Sequence, residues 1–430
     1  MKLVIRDGAV VDHDSGQLRQ ADVAVAEGKV ISIGEVASDF SADLIVDAKG
    51  CVVSAGLVDL SVRLREPGHE HEGMLATELT AAVAGGVTSV VCPPDTEPVL
   101  DEAGLVEMLR YRSQGLGKAR VYPLGALTRG LKGEVLTEML QLTQAGCVGF
   151  SQAEVPLVNT QVLQRALQYA STFGYSVWLR PQDYYLGQGV AASGPLATRM
   201  GLSGVPVIAE TIALHTIFEL VRVTGARVHV CRLSSAQGVA LVRQAKMDGL
   251  PITCDVSINS LHLTDMDIGY FDSRMRLNPP LRQQRDRDAL SAGLADGTID
   301  ALVSDHTPVD EDAKVLPFAE AEPGATGLEL LLSLTLKWAQ ENDVGIGSAL
   351  GTVTCRPADV VGKSSAAVAP SLGRLMVGGV ADICVFDPAA RWMVAPAKLR
   401  SQGRHTPFSG MELPGVVRST VVGGMPAYTA

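Results

Sequence analysis

Polar and charged side chains able to take part in chemistry stand on one face of the segment 59–68. In an extended strand, alternation places Asp59, Ser61, Arg63 and Arg65 on one face and the intervening leucines and valine on the other. Carboxylate and hydroxyl oxygens can bind a cation. An arginine guanidinium is permanently charged, only donates hydrogen bonds and cannot bind a metal. This face therefore has the spacing of a site, but the wrong side chains for a metal centre.

Eight apolar runs alternate with longer, Ala/Leu-rich helical stretches in the middle of the chain, as expected for βα units and a parallel sheet. The candidate strands are residues 56–64, 86–94, 119–127, 147–152, 175–181, 226–234, 251–257 and 299–306. Eight such units predict a (β/α)8 barrel, whose sites lie on the loops at the carboxyl ends of the strands. The alternative, a doubly wound open sheet, usually has a glycine-rich phosphate loop after its first strand, and this sequence has none there.

Both ends of the chain have a different pattern. Short β-rich runs separated by glycine turns occur before residue 56 and again over roughly the last sixty residues. We therefore predict an α/β protein in which residues 1–55 and 366–430 together form a small β-sandwich. Residues 56–365 are predicted to form the barrel.

Composition excludes several classes of partner. The net charge of −11 argues against a nucleic-acid or anionic-membrane surface, because both demand a basic face. The seven cysteines are scattered without a CxxC pair, which favours free thiols in a reducing compartment. The first residues lack the apolar core of a signal peptide, and no apolar run is long enough to span a membrane. A cytoplasmic location is expected.

Several ordered segments between residues 54 and 329 resemble the dihydroorotases, cyclic-amide hydrolases of the amidohydrolase superfamily. Arg65-Glu66-Pro67-Gly68 is similar to the stretch that follows the family's paired histidines, and Pro93-Pro94-Asp95-Thr96-Glu97-Pro98 to its Met-Pro-Asn-Thr-x-Pro. Leu277-Asn278-Pro279-Pro280-Leu281-Arg282 reproduces Asn-Pro-Pro-Leu-Arg. Asp296-Gly297-Thr298-Ile299-Asp300-Ala301, Ser304-Asp305-His306-Thr307-Pro308 and Gly327-Leu328-Glu329 complete the series. The resemblance implies a barrel with a small β-domain.

The positions that bind metal in the family have changed. The former metal-ligand positions implied by the resemblance are Ser61, Arg63, Gln152, Arg180, Arg232 and Asp305. Histidines stand at Ser61, Arg63, Arg180 and Arg232 in the family, and a lysine or an acid near Gln152. Asp305 alone is retained, and in the family it is both a ligand and the general base. Since catalytic zinc needs about three protein ligands and an open position, we expect zinc to be absent and no catalytic residue to remain.

The substitutions predict an electrostatic replacement of the metals. Arg63, Arg180 and Arg232 are expected to converge near Asp305, with a bound anion or water completing the site. Arginines pointing into solvent are the alternative. The resemblance also implies anion or substrate binding by Arg65, Asp95 and Asn278, although the Asp95 carboxylate would repel a carboxylate substrate.

The histidines do not form a replacement set of metal ligands. His229 is three residues before Arg232, so strand alternation puts the two on opposite faces. His229 is therefore predicted to face the helices as a core residue. His69 and His71 are interpreted as part of a solvated loop.

Three functions remain open from the sequence. The resemblance implies a catalytically inactive subunit that forms a hetero-oligomer with the aspartate transcarbamoylase catalytic chain in pyrimidine biosynthesis and supports its assembly or activity. An active cyclic-amide hydrolase with a rebuilt or single-metal centre is the second reading. An anion-sensing regulator is the third.

Overall fold

The computed structural model describes residues 1–13, 15–362 and 370–430. The strands are β1 (Lys2–Val11), β2 (Leu18–Ala26), β3 (Lys29–Gly34), β4 (Leu44–Asp47), β5 (Val52–Ala55), β6 (Leu57–Asp59), β7 (Val87–Cys92), β8 (Arg120–Pro123), β9 (Gly125–Ala126), β10 (Phe150–Ser151), β11 (Ser176–Leu179), β12 (Ala191–Ala192), β13 (Gly204–Val205), β14 (Arg227–Val230), β15 (Ile252–Ser257), β16 (Ala301–Val303), β17 (Ile383–Met393), β18 (Glu412–Val422) and β19 (Met425–Thr429). The α-helices are α1 (Leu75–Ala84), α2 (Ala103–Gln114), α3 (Met139–Ala145), α4 (Thr160–Phe173), α5 (Pro195–Met200), α6 (Ile208–Thr224), α7 (Ala236–Met247), α8 (Ile258–His262), α9 (Gln284–Ala295), α10 (Leu331–Glu341), α11 (Ile346–Gly351) and α12 (Cys355–Gly362). Short 3-10 turns occupy Arg129–Leu131, Asp265–Ile268, Ser273–Met275, Asp312–Lys314, Leu328–Leu330 and Pro396–Lys398.

Parallel strands form a closed barrel in the middle of the chain. One sheet runs β6-β7-β8 and a second runs β9-β10-β11-β14-β15-β16. The amide of Leu124, between β8 and β9, donates to the Cys92 carbonyl and so continues the third strand from one sheet into the next. A parallel bridge between Val62 and His306 joins the first strand to the last. The predicted (β/α)8 barrel is therefore confirmed, and the carboxyl ends of its eight strands meet at one mouth.

Strand alternation divides the apolar side chains of the barrel between two cores. On β11 and β14, Val177 and Val230 pack in the large cluster that includes helix residues such as Leu167 and Leu214. Trp178 lies in a smaller interior cluster that is built largely from strand residues. The region is poor in aromatic side chains, and aliphatic residues therefore fill most of both layers.

The two ends of the chain build one eight-stranded sheet, with β5 pairing antiparallel to β17 and parallel to β1. The sheet has its own core, in which Leu3, Ile5 and Val53 from the beginning of the chain pack with Ile383 and Val385 from the end. The predicted β-sandwich from both termini is confirmed. The predicted boundary between residues 365 and 366 lies outside the described residues.

The cysteines and the helices can be compared with what the composition predicts. All seven cysteines are free thiols. Among the described residues, every helix is too short or too polar to cross a bilayer.

Candidate site at the mouth of the barrel

The chain turns sharply just beyond several barrel strands. Ala153, Arg232 and Asp305 adopt left-handed backbone conformations, with φ of 51°, 53° and 52°, shortly after β10, β14 and β16. This conformation costs free energy for a residue other than glycine, and it persists where surrounding contacts stabilise it. The Arg232 amide, for example, donates to the Asp255 carboxylate at 2.6 Å. These turns end strand alternation and direct Glu154, Arg232 and Asp305 to the mouth.

Glu154 is the hub of the site. Its Oε1 accepts from Arg63 Nη2 at 2.8 Å and from Arg232 Nη2, and its Oε2 accepts from Arg180 Nη1 at 2.5 Å. The Asn278 side-chain amide also donates to Oε2, at 3.0 Å, while its oxygen accepts from Arg180 at 2.5 Å. One carboxylate is thus held by three guanidinium groups and one amide.

Two further acids balance the remaining charge. Arg63 donates its Nε–H to Asp95 at 2.8 Å, and Arg232 donates from Nη1 to Asp305 at 3.1 Å. We use the name arginine network for the set Arg63, Arg180, Arg232, Asp95, Glu154 and Asp305. The network contains three cations and three carboxylates, which makes it formally neutral.

Burial makes the members of these ion pairs depend on one another, because each charge would be costly to bury without its partner. The side chains of Arg63, Arg180 and Arg232 are only 7%, 7% and 5% exposed. Burial alone would raise the pKa of Glu154, but Arg232, Arg180 and Arg63 outweigh it and hold that pKa well below its ordinary value. For Asp305, burial outweighs the attraction of Arg232 and raises its pKa. The network therefore depends above all on an ionised Glu154.

Glu154 was not among the predicted site residues. A bound anion or water was expected to complete the site, and in the structure the carboxylates of Glu154 and Asp95 pair with the arginines there. The signal was the acid two residues after Gln152, the position near which the resemblance implies a lysine or an acid. The turn at Ala153 brings it to the mouth. The alternative of solvent-exposed arginines is wrong.

Two of the former metal-ligand positions lie outside the network. Gln152 points the other way, accepting from Thr128 Oγ1 at 3.0 Å and donating to the Leu131 carbonyl at 2.7 Å. Ser61 is partly buried, and its amide donates to Asp59. Arg63, Arg180, Arg232 and Asp305 are the four predicted positions that do converge.

The residues suggested for anion or substrate binding are already engaged. Arg65 donates to the Pro308 carbonyl at 2.8 Å and lies 2.7 Å from a Glu72 oxygen. Asp95 and Asn278 belong to the contacts around Glu154 described above. A cavity of about 150 Å³ opens here, and its lining includes Arg63, Arg65 and Arg232 but also Asp95, Glu154, Asp305 and Glu322. Its four acids outnumber its three arginines, so the cavity does not favour an anionic ligand.

His229 lies inside the barrel and does not face the helices, so its predicted orientation is wrong. Its ring centroid is 4.4 Å from that of the interior Trp178, and its nitrogens bond Thr253 Oγ1 and Asp255 Oδ2, each at 2.8 Å. Strand parity failed because the left-handed turn at Arg232 breaks the alternation. Its interpretation as a buried, satisfied core histidine is correct.

The side chains at the mouth do not fit the catalytic zinc that such barrels use. Arginine cannot ligate a metal, and three guanidinium groups repel a dication. The retained carboxylate, Asp305, is bonded to one of them. His229, Cys231 and Asp255 do bring donor atoms within 4.8 Å of one another. Both ring nitrogens of His229 are, however, already in hydrogen bonds, and Arg232 borders the group.

The (β/α)8 barrel with a site at its mouth and a β-sandwich from both termini is an amidohydrolase-type fold. A solved structure shares this fold. The L-hydantoinase (dihydropyrimidinase) of Arthrobacter aurescens superimposes with a TM-score of 0.88 at 24% identity, and the superposition covers 99% of this chain and 95% of that one. Residues 50–238 match the family model described as dihydro-orotase-like. The chain belongs to the dihydroorotase-like family, since two curated relatives are 42% and 38% identical to it over nearly its full length.

Two curated relatives carry that assignment over the full length. A dihydroorotase-like protein of Pseudomonas aeruginosa is 42% identical over 425 residues, covering 99% of each chain. A dihydroorotase of Geobacter sp. strain M21 is 38% identical over 431 residues, covering 100% of each.

Proposed function

We propose that this protein is a catalytically inactive member of the dihydroorotase-like family that acts as a structural subunit. The observation that carries the proposal is the position of Glu154, which is bonded to Arg63, Arg180 and Arg232 where the family resemblance implies metal ligands. An ion-pair network of the chain's own residues fills the centre that would otherwise bind metal and substrate.

The remaining groups are poorly suited to amide hydrolysis. Opening a cyclic amide requires an activated water and an electrophile near the carbonyl oxygen. Asp305 is the retained base position, but its carboxylate is bonded to Arg232. The guanidinium groups that could polarise a carbonyl are occupied by Glu154 and Asp95. The mouth therefore stabilises the barrel rather than a transition state.

An active hydrolase with a rebuilt centre is the rival function. It is favoured by the Geobacter relative named dihydroorotase, 38% identical to this chain. Asp305 would be its base. The anion-sensing regulator is disfavoured because the cations at the mouth are paired within the chain.

The structural role that we propose is support of the aspartate transcarbamoylase catalytic chain in a hetero-oligomer. Its support is the family resemblance, and it requires an intact barrel but no chemistry at the mouth. Co-expression of the two chains followed by size-exclusion chromatography tests it. The expected result is a joint complex with higher carbamoyl-transfer activity than the transcarbamoylase chain alone.

Asp305→Asn supplies the decisive variant for this experiment. A structural subunit needs no chemistry at the mouth, so the folded variant should still assemble with the transcarbamoylase chain and support its activity. Separate elution of the two wild-type chains, with no change in carbamoyl-transfer activity, would contradict the proposed role. Loss of support in Asp305→Asn, in a variant that remains folded, would favour the active hydrolase instead.

A further inference from the structure

Two histidines and a glutamate converge in the loop that follows the first barrel strand. His69, His71 and Glu72 bring one donor atom each within 4.8 Å of one another. The imidazole rings of His69 and His71 lie with centroids 6.1 Å apart and are tilted by 52°. His71 is exposed, His69 is half-buried and Glu72 is buried. The interpretation of His69 and His71 as part of a solvated loop thus fits the exposed His71 but not the half-buried His69.

The backbone of this loop is held in place on both sides. The His69 amide donates to the Arg65 carbonyl at 2.8 Å, and the Glu72 amide to the His69 carbonyl at 2.9 Å. Gln402, from the last part of the chain, donates its side-chain amide to the carbonyls of Glu70 and His71, each at 2.9 Å. The three donor side chains thus project from a fixed turn, which lowers the entropic cost of bringing them onto one ligand.

Glu72 divides its two oxygens between different neighbours. Oε2 lies 2.7 Å from Arg65 Nε, whereas Oε1 faces the histidines, 3.8 Å from His71 Nε2. Arg65 is therefore an ion-pair neighbour of one carboxylate oxygen, and the other oxygen lies toward His71. Two imidazole nitrogens and one carboxylate oxygen form a His₂Glu set, one of the donor sets of protein zinc sites.

The geometry is close to what such a site needs. Ligands at about 2.0–2.1 Å around a tetrahedral zinc lie about 3.3 Å from one another, so small rotations of the two histidines would complete the set. His71 and Glu72 also line the edge of a cavity of about 810 Å³ between this loop and residues 396–409. A fourth position would open into that space.

We propose that His69, His71 and Glu72 form a binding site for a zinc-type divalent cation, separate from the barrel mouth. The cation joins three donors, and a water from the adjacent cavity takes the fourth position. Binding adds a further link between the three side chains and holds Glu72 beside its ion-pair partner Arg65. The site requires no change in the arginine network, so it is independent of the inactive centre proposed above.

Titration of zinc into the full-length, chelator-treated protein, followed by calorimetry, tests this site. The wild-type protein should bind one equivalent at a single site. His71→Gln should weaken that binding at least tenfold, since it removes one of three ligands, and His69→Gln should act alike. His215→Gln, an exposed histidine on α6, is the matched control and should leave the affinity unchanged.

Cobalt substitution provides a second readout that names the donors. The cobalt-loaded protein should show visible d–d absorption without a thiolate-to-cobalt charge-transfer band. Such a band would place the cation at a cysteine, for example in the group His229, Cys231 and Asp255, and would overturn the proposal. So would the absence of zinc binding by the wild-type protein, or an unchanged affinity in both histidine variants.

Discussion

Arg180 and Glu154 are joined by a 2.5 Å hydrogen bond across the ends of two neighbouring barrel strands. Arg180 follows β11 and Glu154 follows β10, and these strands pair in parallel. The resemblance assigns metal-binding side chains to the ends of both strands. An arginine and a glutamate displaced by two residues connect them by direct ion pairing, which ties the two strand ends together at the mouth.

Replacing Glu154 by Gln should destabilise the protein strongly. The change keeps the shape of the side chain but leaves three largely buried guanidinium groups without their shared anion. Removing one partner of a buried ion pair typically costs about 3–5 kcal/mol, and we expect about 3 kcal/mol because Glu154 is partly exposed. Urea denaturation measures the loss of unfolding free energy.

The control for this change is Glu138→Gln. Glu138 pairs with Arg129 at 3.5 Å on the surface, and both side chains are mostly exposed. Such a pair contributes about 0–1 kcal/mol. Equal, small effects of the two substitutions would mean that Glu154 does not hold the network together.

The contribution of Glu154 should depend on pH in one direction. Its pKa is lowered in the folded protein, against burial, by Arg232, Arg180 and Arg63. The stabilisation is therefore complete above the ordinary glutamate pKa of about 4.3 and is lost as the pH falls below it. The difference in unfolding free energy between wild type and Glu154→Gln should be constant from pH 6 to 8 and shrink at more acidic pH. A difference that grew on acidification would contradict the assignment.

Arg232→Met should also destabilise the protein, since it leaves Asp305 and Glu154 short of a buried partner. We expect a loss of about 3 kcal/mol, measured by the same denaturation. Arg129→Met, at the exposed pair, should change stability by less than about 1 kcal/mol. An Arg232→Met protein as stable as the wild type would remove the main support for an ion-pair network.

Asp59, at the end of β6, should lower the unfolding free energy of the protein as the pH rises. Burial raises its pKa to about 7, although the amides of Ser61 and Ser304 donate to it. A carboxyl group whose pKa is raised on folding lowers the unfolding free energy of the protein as the pH rises from the unfolded pKa of about 4 to the folded pKa. Asp59→Asn should therefore gain stability relative to wild type between pH 5 and pH 8. Thermal unfolding at both pH values measures this, and a pH-independent difference would count against it.

The sequence predicted the order of the barrel strands because βα units carry strong, local apolar patterns. The strand ends were less accurate: the predicted strand 226–234 ends in the structure at Val230. The left-handed turn at Arg232 causes this difference. Non-glycine residues adopt such a turn only under tertiary contacts, such as the bond from the Arg232 amide to Asp255, and local sequence does not reveal these contacts.

Part of the candidate site could be predicted because its residues lie at the ends of barrel strands. Arg63, Arg180, Arg232 and Asp305 follow strands whose ends must meet, so their convergence could be read from the pattern. The family resemblance could not identify Glu154, because the metal-ligand position that it implies is Gln152, two residues earlier. Its role depends on the turn at Ala153 and on three partners distant in sequence.

The central claim is that the mouth of this barrel has lost cyclic-amide hydrolysis. The most direct test is the rate of dihydroorotate ring opening by the full-length protein in zinc-supplemented buffer, beside an Asp305→Asn variant. We predict that the two proteins show the same rate as buffer alone. Zinc-dependent turnover by the wild-type protein that disappears in Asp305→Asn would contradict this account and establish Asp305 as the base of an active hydrolase.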